Sequence, residues 1–463
     1  MEGTMNRPFD YRGKRVLVIG MARSGIQVAR LLAREGAVPI LNDIKSREAF
    51  GDALDVLNGL NMEWKLGENP VPLLDNADAL VISPGVPIDS PAVLEAQKRG
   101  LYVAGEMEVA AQFAQGTLVG ITGTNGKTTT VTLLDTMFKE AGRTSWLSGN
   151  IGTPFSLTAL SSGPEDVLVT EVSSFQLESI DTFHPRAAAV LNVTEDHLIR
   201  HYTMECYIAM KRRIFENQDA GDLAVLNGDD QICIKMAEGL RARVAWFSRK
   251  GEVKQGAFVR NGQLTVRLGK KEWILCPIAE IGIPGPHNLE NAMAAAVIAL
   301  DMDVPSEAVM RALRTFKGVE HRIEFVRELN QVRYINDSKG TNPDSTIKAV
   351  DTMNRPTVLI LGGYDKHVSF AALAQHIAVS PQIAALIILG ATKDQLRREL
   401  KQAGTVTPAE ADTFEQAVNM ARGFAKPGWN VLLSPACASF DMFTCFEERG
   451  ERFKAIVNGW TEA

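Results

Sequence analysis

Cysteine is scarce. The 463-residue chain has five (Cys206, Cys233, Cys276, Cys437 and Cys445), an odd number with no C-x-x-C pair. That pattern excludes a disulfide framework and a cysteine-rich zinc module, and leaves reduced thiols used for packing. An excess of basic charge is missing too. The formal net charge is -6, which argues against a nucleic-acid partner, for which a basic face is the rule. No apolar run approaches the roughly 20 residues that span a bilayer. The opening Met1-Glu2-Gly3-Thr4-Met5-Asn6-Arg7 lacks the basic-then-apolar layout of a signal peptide. There is no internal repeat and no low-complexity stretch. Together these absences lead to the expectation of a cytoplasmic protein with no membrane or nucleic-acid partner. What is present is ordinary for a globular chain, 45% hydrophobic and 22% charged residues. At about 150 residues per domain, this length suggests three domains.

The strongest local signal lies at residues 118–138. The apolar run Leu118, Val119 and Ile121 gives way to Gly123-Thr124-Asn125-Gly126-Lys127-Thr128-Thr129, and a helical pattern follows through Val131, Leu133, Leu134, Met137 and Phe138. Strand, tight loop and helix start in that order make an anion site, because converging backbone N–H groups and the helix N-terminus both favour negative charge. Lys127 belongs on the β/γ-phosphates of ATP and the Thr128 hydroxyl on Mg²⁺. The general G-x-x-x-x-G-K-[ST] pattern asks for Gly at position 121, where this chain has Ile. Further on, the apolar stretch 166–172 carries Glu171 near its end, a natural Mg²⁺ partner or else an ordinary ion-paired acid. A second apolar stretch, 187–193, runs into Asp196-His197, where the His is either a cap or a ligand. Lys211-Arg212-Arg213 sits on a helix around 207–216 and by itself reads as a solvated basic face. Asn291, in the first turn of an Ala-rich helix from Leu289, reads as a helix-start polar residue.

The flanking regions repeat a strand-to-small-residue pattern. Residues 14–20 form a buried parallel-type strand leading to Met21-Ala22-Arg23-Ser24-Gly25, a helix from Ile26, and a second strand ending at Asp43. This is the opening βαβ of a dinucleotide-type domain, with an acid about 20 residues after the Gly turn. The middle Gly of G-x-G-x-x-G is Ala22, so the fingerprint is incomplete; Gly20 and Gly25 still permit a tight turn for a nucleotide moiety. Ser83-Pro84-Gly85 ends another strand. Beyond residue 318, strands at 332–337, 357–363, 385–390 and 430–435 each end in small or acidic residues, as in an open doubly wound sheet. The residues from Ser439 to Val457 read as an amphipathic final helix. The expected architecture is α/β: a Rossmann-like domain over 1–105, a P-loop ATPase-like domain with a mixed sheet over 106–317, and a second Rossmann-like domain over 318–463.

Read together, Gly123–Thr128, Glu171-Val-Ser-Ser-Phe-Gln-Leu-Glu178, Asn192-Val-Thr-Glu-Asp-His197, Asn336-Asp-Ser-Lys-Gly-Thr-Asn342 and Ser434-Pro-Ala-Cys-Ala-Ser-Phe-Asp441 resemble the Mur ligases, the ATP-dependent amino-acid-adding enzymes of peptidoglycan synthesis. That family's phosphate loop also lacks the first Walker Gly. The resemblance points to the branch that adds D-glutamate to UDP-N-acetylmuramoyl-L-alanine through an acyl phosphate. An Asn-Pro-Arg motif, the mark of the diamino-acid-adding branch, is absent. The resemblance implies ATP bound by Gly123, Thr124, Asn125, Gly126, Lys127, Thr128 and Thr129, with Asn291, Arg322 and Asp337 touching adenine, phosphate and ribose. It implies two Mg²⁺ sites drawing on Thr128, Glu171, His197 and a carbamylated Lys211. D-Glutamate would meet Lys339, Thr341, Lys366, Ser439, Phe440 and Phe446, two lysines suiting two carboxylates. The UDP-linked substrate would lie near Asp43, Gly85 and Asn150. A monomer is expected. Ile199 stands where the family usually has an Asp two residues after the metal-binding His. The alternatives are another Mur-type or folylpolyglutamate-type ligase, and, from the first domain alone, a dinucleotide oxidoreductase or a nucleotide-sensing binding protein.

Overall fold

A computed structural model describes residues 9–461, so the opening stretch weighed above as a signal segment lies outside the described residues. Three sheets organise the chain. The first contains β1 (Arg15–Ile19), β2 (Val38–Asp43), β3 (Glu63–Leu66), β4 (Ala79–Ile82) and β5 (Tyr102–Gly105), all parallel, in the order β3-β2-β1-β4-β5. Val16 and Val18 face one buried cluster and Leu17 and Ile19 another. A strand buried on both faces cannot alternate apolar with polar residues, which is why residues 16–19 read as a continuous apolar run. The strand order reverses between β1 and β4. The crevice beyond their carboxyl ends is where ligands of such sheets bind.

The second sheet has nine strands: β6 (Thr117–Thr122), β7 (Ser145–Gly149), β8 (Val167–Glu171), β9 (Ala187–Val190), β10 (Leu223–Asn227), β11 (Arg243–Ser248), β12 (Gly256–Arg260), β13 (Gln263–Leu268) and β14 (Lys271–Pro277). Their order is β14-β13-β12-β11-β10-β9-β6-β8-β7. The sheet is mixed, as expected: β12, β13 and β14 form an antiparallel meander, with Asn261 and Gly262 turning the first hairpin at φ 51° and 73°. The third sheet runs β15 (Glu324–Leu329), β16 (Val332–Asn336), β20 (Asn430–Leu433), β17 (Thr357–Gly362), β18 (Ile383–Leu389) and β19 (Ala409–Glu410). In β17, Leu359 and Leu361 face one core while Val358 and Ile360 face the other.

By packing, the chain forms two compact units. One contains the chain up to Val193, Arg200–Glu280 and Glu290–Arg314, and holds the first two sheets; the other contains Thr194–Ile199, Ile281–Leu289 and the chain from Thr315, and holds the third. Two sequence readings are corrected. The first helix, α1, spans Arg23–Arg34 and so begins earlier than Ile26. The last helix begins at Phe446, not Ser439. Residues before it stay in a loop because the Arg449 guanidinium takes the carbonyls of Cys437 and Ala438 over 3.1 and 3.2 Å, and Ala436 sits at φ 59°.

Candidate functional site

The phosphate loop joins β6 to α2 (Lys127–Glu140). Gly126 caps that helix at φ 90°, and a Cβ there would run into the Asn291 side chain and Leu191. Only glycine suits this position. The helix carrying Asn291 begins at Pro286, not Leu289, so Asn291 lies in its second turn and not at its start, buried against the loop. The Thr128 hydroxyl donates to Glu171 Oε2 over 2.8 Å, and Asn150 Nδ2 donates to Glu171 Oε1 over 2.9 Å. β6 and β8 are neighbours, so the helix start and the acid meet at adjacent strand ends. Lys127 Nζ donates to the carbonyls of Gly123 and Thr124 at 2.9 and 2.8 Å. Lys211 Nζ donates to the same Gly123 carbonyl at 2.9 Å. Two ammonium groups therefore share one acceptor in the loop.

Lys211 lies on α3 (Met204–Arg212). Reading it as part of a solvated face is overturned: its side chain is 1% exposed, with Nζ 4.5 Å above the Tyr207 ring, while Arg212 next to it is exposed. Sequence reasoning passed over Tyr207, whose hydroxyl lies 3.2 Å from Thr124 Oγ1. Its spacing four residues before Lys211 was the available signal. Asn192, quoted above only as the start of the stretch ending at His197, pairs with Asn125 twice, accepting from its N–H at 2.9 Å and donating to its carbonyl at 3.0 Å. His201, beside Tyr207, bonds Ser174 Oγ at 2.9 Å. Burial above all, with Lys211 and Arg200 adding to it, brings the His201 pKa down to about 4.

In the same unit, a cavity of about 770 Å³ opens beyond the ends of β1 and β4, walled in part by Gly20, Arg23, Asp43, Ser83, Gly85, Asn150 and Gln176. The three residues expected near a UDP-linked substrate, Asp43, Gly85 and Asn150, thus line one cavity. The Asp43 carboxylate accepts the N–H groups of Met21 and Lys45 at 2.8 and 3.0 Å. Ser83 Oγ donates to the Gly20 carbonyl at 2.6 Å and ties the two strand ends together.

The other unit gathers a second set around the third sheet. Asp337, at the end of β16, is fully buried; it accepts from Ser434 Oγ at 2.6 Å and from the Ile323 N–H at 3.2 Å, with Arg322 3.9 Å away. Burial outweighs these partners and raises its pKa to about 6. Lys339 lies with its ammonium 5.1 Å over the Phe446 ring. Thr341, half-buried, follows it in a tight turn, its N–H on the Lys339 carbonyl at 2.9 Å. Ser439 is buried, whereas Phe440 is 65% exposed and meets Tyr364 edge-on at 5.9 Å. Lys366 Nζ lies 3.9 Å from Asp196, which also accepts from Asn342 Nδ2 at 3.0 Å. Although burial opposes it, Lys366, His197 and these bonds hold the Asp196 carboxyl below the usual range. His197 adopts φ 57°, its Nε2 3.6 Å from the same carboxylate, and the exposed Ile199 follows two residues on. Arg449, missed from sequence, binds the Ser338 hydroxyl and carbonyl at 2.9 and 2.8 Å, and so ties the segment before Lys339 to the loop that carries Ser439.

Three family models match in order: "Mur ligase MurD-like, N-terminal domain" over residues 14–105, "Mur ligase middle domain" over 121–299, and "Mur ligase, glutamate ligase domain" over 321–437. Proteins named UDP-N-acetylmuramoylalanine–D-glutamate ligase from Pelotomaculum thermopropionicum and Clostridioides difficile are each 45% identical to the chain; 97% of it is covered in both cases, with 98% and 99% of theirs. Among solved structures, MurF from Acinetobacter baumannii has the same fold with a TM-score of 0.61 at 15% identity, over 95% of this chain and 93% of that one. UDP-N-acetylmuramate-alanine ligase MurC from Thermotoga maritima gives 0.59 at 16%, over 96% and 99%. With a phosphate loop backed by a buried acid, three α/β sheets in this order, and this degree of identity along nearly all its length, the chain belongs to the Mur ligase family.

Proposed function

We propose that this chain is an ATP-dependent amide ligase that joins D-glutamate to the alanyl carboxylate of UDP-N-acetylmuramoyl-L-alanine, as a monomer in the cytoplasm. One observation supports it above the others: the phosphate loop, with Thr128 bonded to Glu171 at 2.8 Å, lies in a chain 45% identical over 97% of its length to proteins named for that reaction. A carboxylate resists attack by an amine because its charge is delocalised. Transfer of the γ-phosphoryl group of ATP to the alanyl carboxylate gives an acyl phosphate and ADP. The D-glutamate amine then attacks the acyl carbon, and the tetrahedral intermediate expels phosphate as the amide forms.

The residues divide the work. The loop N–H groups of 123–129 and Lys127 bind the phosphates of ATP, Lys127 exchanging its loop carbonyls for phosphate oxygens. Thr128 and Glu171 present a buried hydroxyl and a buried carboxylate, the oxygen donors a hard divalent cation takes, and are the residues that would hold Mg²⁺. When bound, that ion neutralises charge on the transferred group. Lys211, as a carbamate, would add a carboxylate beside the loop, and His197 is assigned to a further Mg²⁺. Asn291 is assigned to adenine, Arg322 to phosphate and Asp337 to ribose. D-Glutamate is assigned to Lys339, Thr341, Lys366, Ser439, Phe440 and Phe446, and the nucleotide end of the other substrate to the cavity at Asp43, Gly85 and Asn150. The test is phosphate release from ATP with UDP-N-acetylmuramoyl-L-alanine, comparing D-glutamate with L-glutamate, L-lysine and meso-diaminopimelate. Release with D-glutamate alone is expected. Release with another amino acid retains the ligase and overturns its substrate; none with any of them overturns the ligase.

A further inference from the structure

Arg23 stands where the turn after β1 departs from the dinucleotide pattern. Gly20 and Gly25 keep their steric duties: Gly20 has φ 90°, and a Cβ on Gly25 would collide with the Gly20 carbonyl. The middle position, where glycine lets the backbone approach a diphosphate, is Ala22, whose methyl group holds a ligand off. The next residue is Arg23, the first of α1, exposed in the cavity wall. Among the described residues lining this cavity Arg23 is the only cation and Asp43 the only acid. Asp43 already has an oxygen on each of two backbone N–H groups. A largely apolar cavity of about 770 Å³ with one exposed guanidinium suits a heterocyclic body joined to concentrated negative charge.

The guanidinium also reaches a second element. Arg23 Nη2 donates to the Gly152 carbonyl at 2.9 Å. Gly152 belongs to the loop after β7, whose Asn150 meets Glu171 twice, by its N–H to the carbonyl and by Nδ2 to the carboxylate, both at 2.9 Å. Arginine has five N–H donors in one plane. One bond to Gly152 leaves others for phosphate oxygens.

We propose that Arg23 is the residue that reads the diphosphate of the nucleotide in this cavity, taking over the contact that Ala22 withholds, and that its hold on Gly152 ties an occupied nucleotide site to the loop carrying Asn150. The proposal rests on the reading of the cavity as the UDP-substrate site. The charge that discriminates UDP from uridine comes from this one side chain.

The test is calorimetric titration of the full chain with UDP and with uridine, for wild type, Arg23→Gln and Arg23→Lys. Thermal midpoint and ATP affinity establish that each variant is folded. Wild type should prefer UDP over uridine by at least about tenfold, and that preference should weaken with salt. Arg23→Gln should lose about 10- to 100-fold of its affinity for UDP, the worth of a charge-assisted hydrogen bond, while uridine affinity stays within about twofold. Arg23→Lys should recover part of the loss, since it keeps the charge but not the planar fork. Equal weakening of both ligands would make the Gly152 bond structural and overturn the proposal, as would undiminished UDP binding. Wild type that binds neither ligand would overturn both the proposal and the nucleotide reading. UDP binding without D-glutamate-dependent phosphate release would overturn the ligase alone, and the UDP-to-uridine ratio would still decide the role of Arg23.

Discussion

The Thr128 hydroxyl donates to the Glu171 carboxylate over 2.8 Å, linking the first turn of the phosphate-loop helix to the end of the adjacent strand. Both groups are buried. Thr128→Val keeps the shape and removes the oxygen; Glu171→Gln keeps the shape and removes the charge. Each should lower turnover by about 10²-fold or more, the scale for losing a group aimed at developing charge. Unfolding midpoints should shift little. Near-normal turnover in a folded Glu171→Gln protein would contradict its assignment.

Lys211 offers a sharper test. Its side chain fills a closed site against the Gly123 carbonyl and the Tyr207 ring. If its working form is a carbamate, Lys211→Ala removes a carboxylate and leaves a space shaped for one. Activity should be lost, then partly restored by formate or acetate and not by methylammonium. Rescue by the amine instead would show that the ammonium is the working form.

Gly126 is held at φ 90° with the Asn291 side chain where a Cβ would go. Gly126→Ala should therefore cost about 1–3 kcal/mol from backbone strain and crowding. It should also displace Asn291 and weaken ATP binding. The measurement is denaturant unfolding alongside ATP titration; unchanged affinity would separate Asn291 from the nucleotide.

Two buried groups should give opposite pH responses. The folded pKa of His201, about 4, lies below its ordinary 6.5. Its contribution to stability is full above pH 6.5 and is lost as the pH falls toward 4, because the unfolded chain takes up the proton first. The folded pKa of Asp337, about 6, lies above its ordinary 3.8. Its contribution is full below pH 3.8 and is lost as the pH rises through 6. Asp337→Asn should raise unfolding stability at pH 7.5 by about 1–3 kcal/mol, less at pH 5. His201→Asn should flatten the loss between pH 6.5 and 5. Stability curves that run parallel to wild type would contradict these environments.

Much of the fold was legible because local patterns carry it. Residues 16–19 and 358–361 are apolar throughout because both faces of those strands are buried, and Asn261-Gly262 marks a hairpin because both positions need positive φ. Strands β3 and β15 were not visible. Both are sheet edges with partly exposed residues such as Lys65, Phe325 and Glu328, and neither period nor composition sets them apart from loops. The final helix was read too long because the residues from Ser439 onward are compatible with a helical stripe; the distant guanidinium of Arg449 holds that loop open. Tyr207 and Arg449 carry no motif of their own, and their importance lies in what they touch.

The sequence by itself determined the strand–loop–helix of residues 117–140, the turn after β1 and the α/β character, because chain order, side-chain period and glycine placement act within a few residues. Only the tertiary structure decided which groups meet. Thr128 reaches Glu171 across 43 positions, and Lys211 reaches the Gly123 carbonyl across 88. Those meetings follow from strand order, in which β6 lies between β9 and β8. Strand order is set by packing whole faces together, and no local run of residues encodes it.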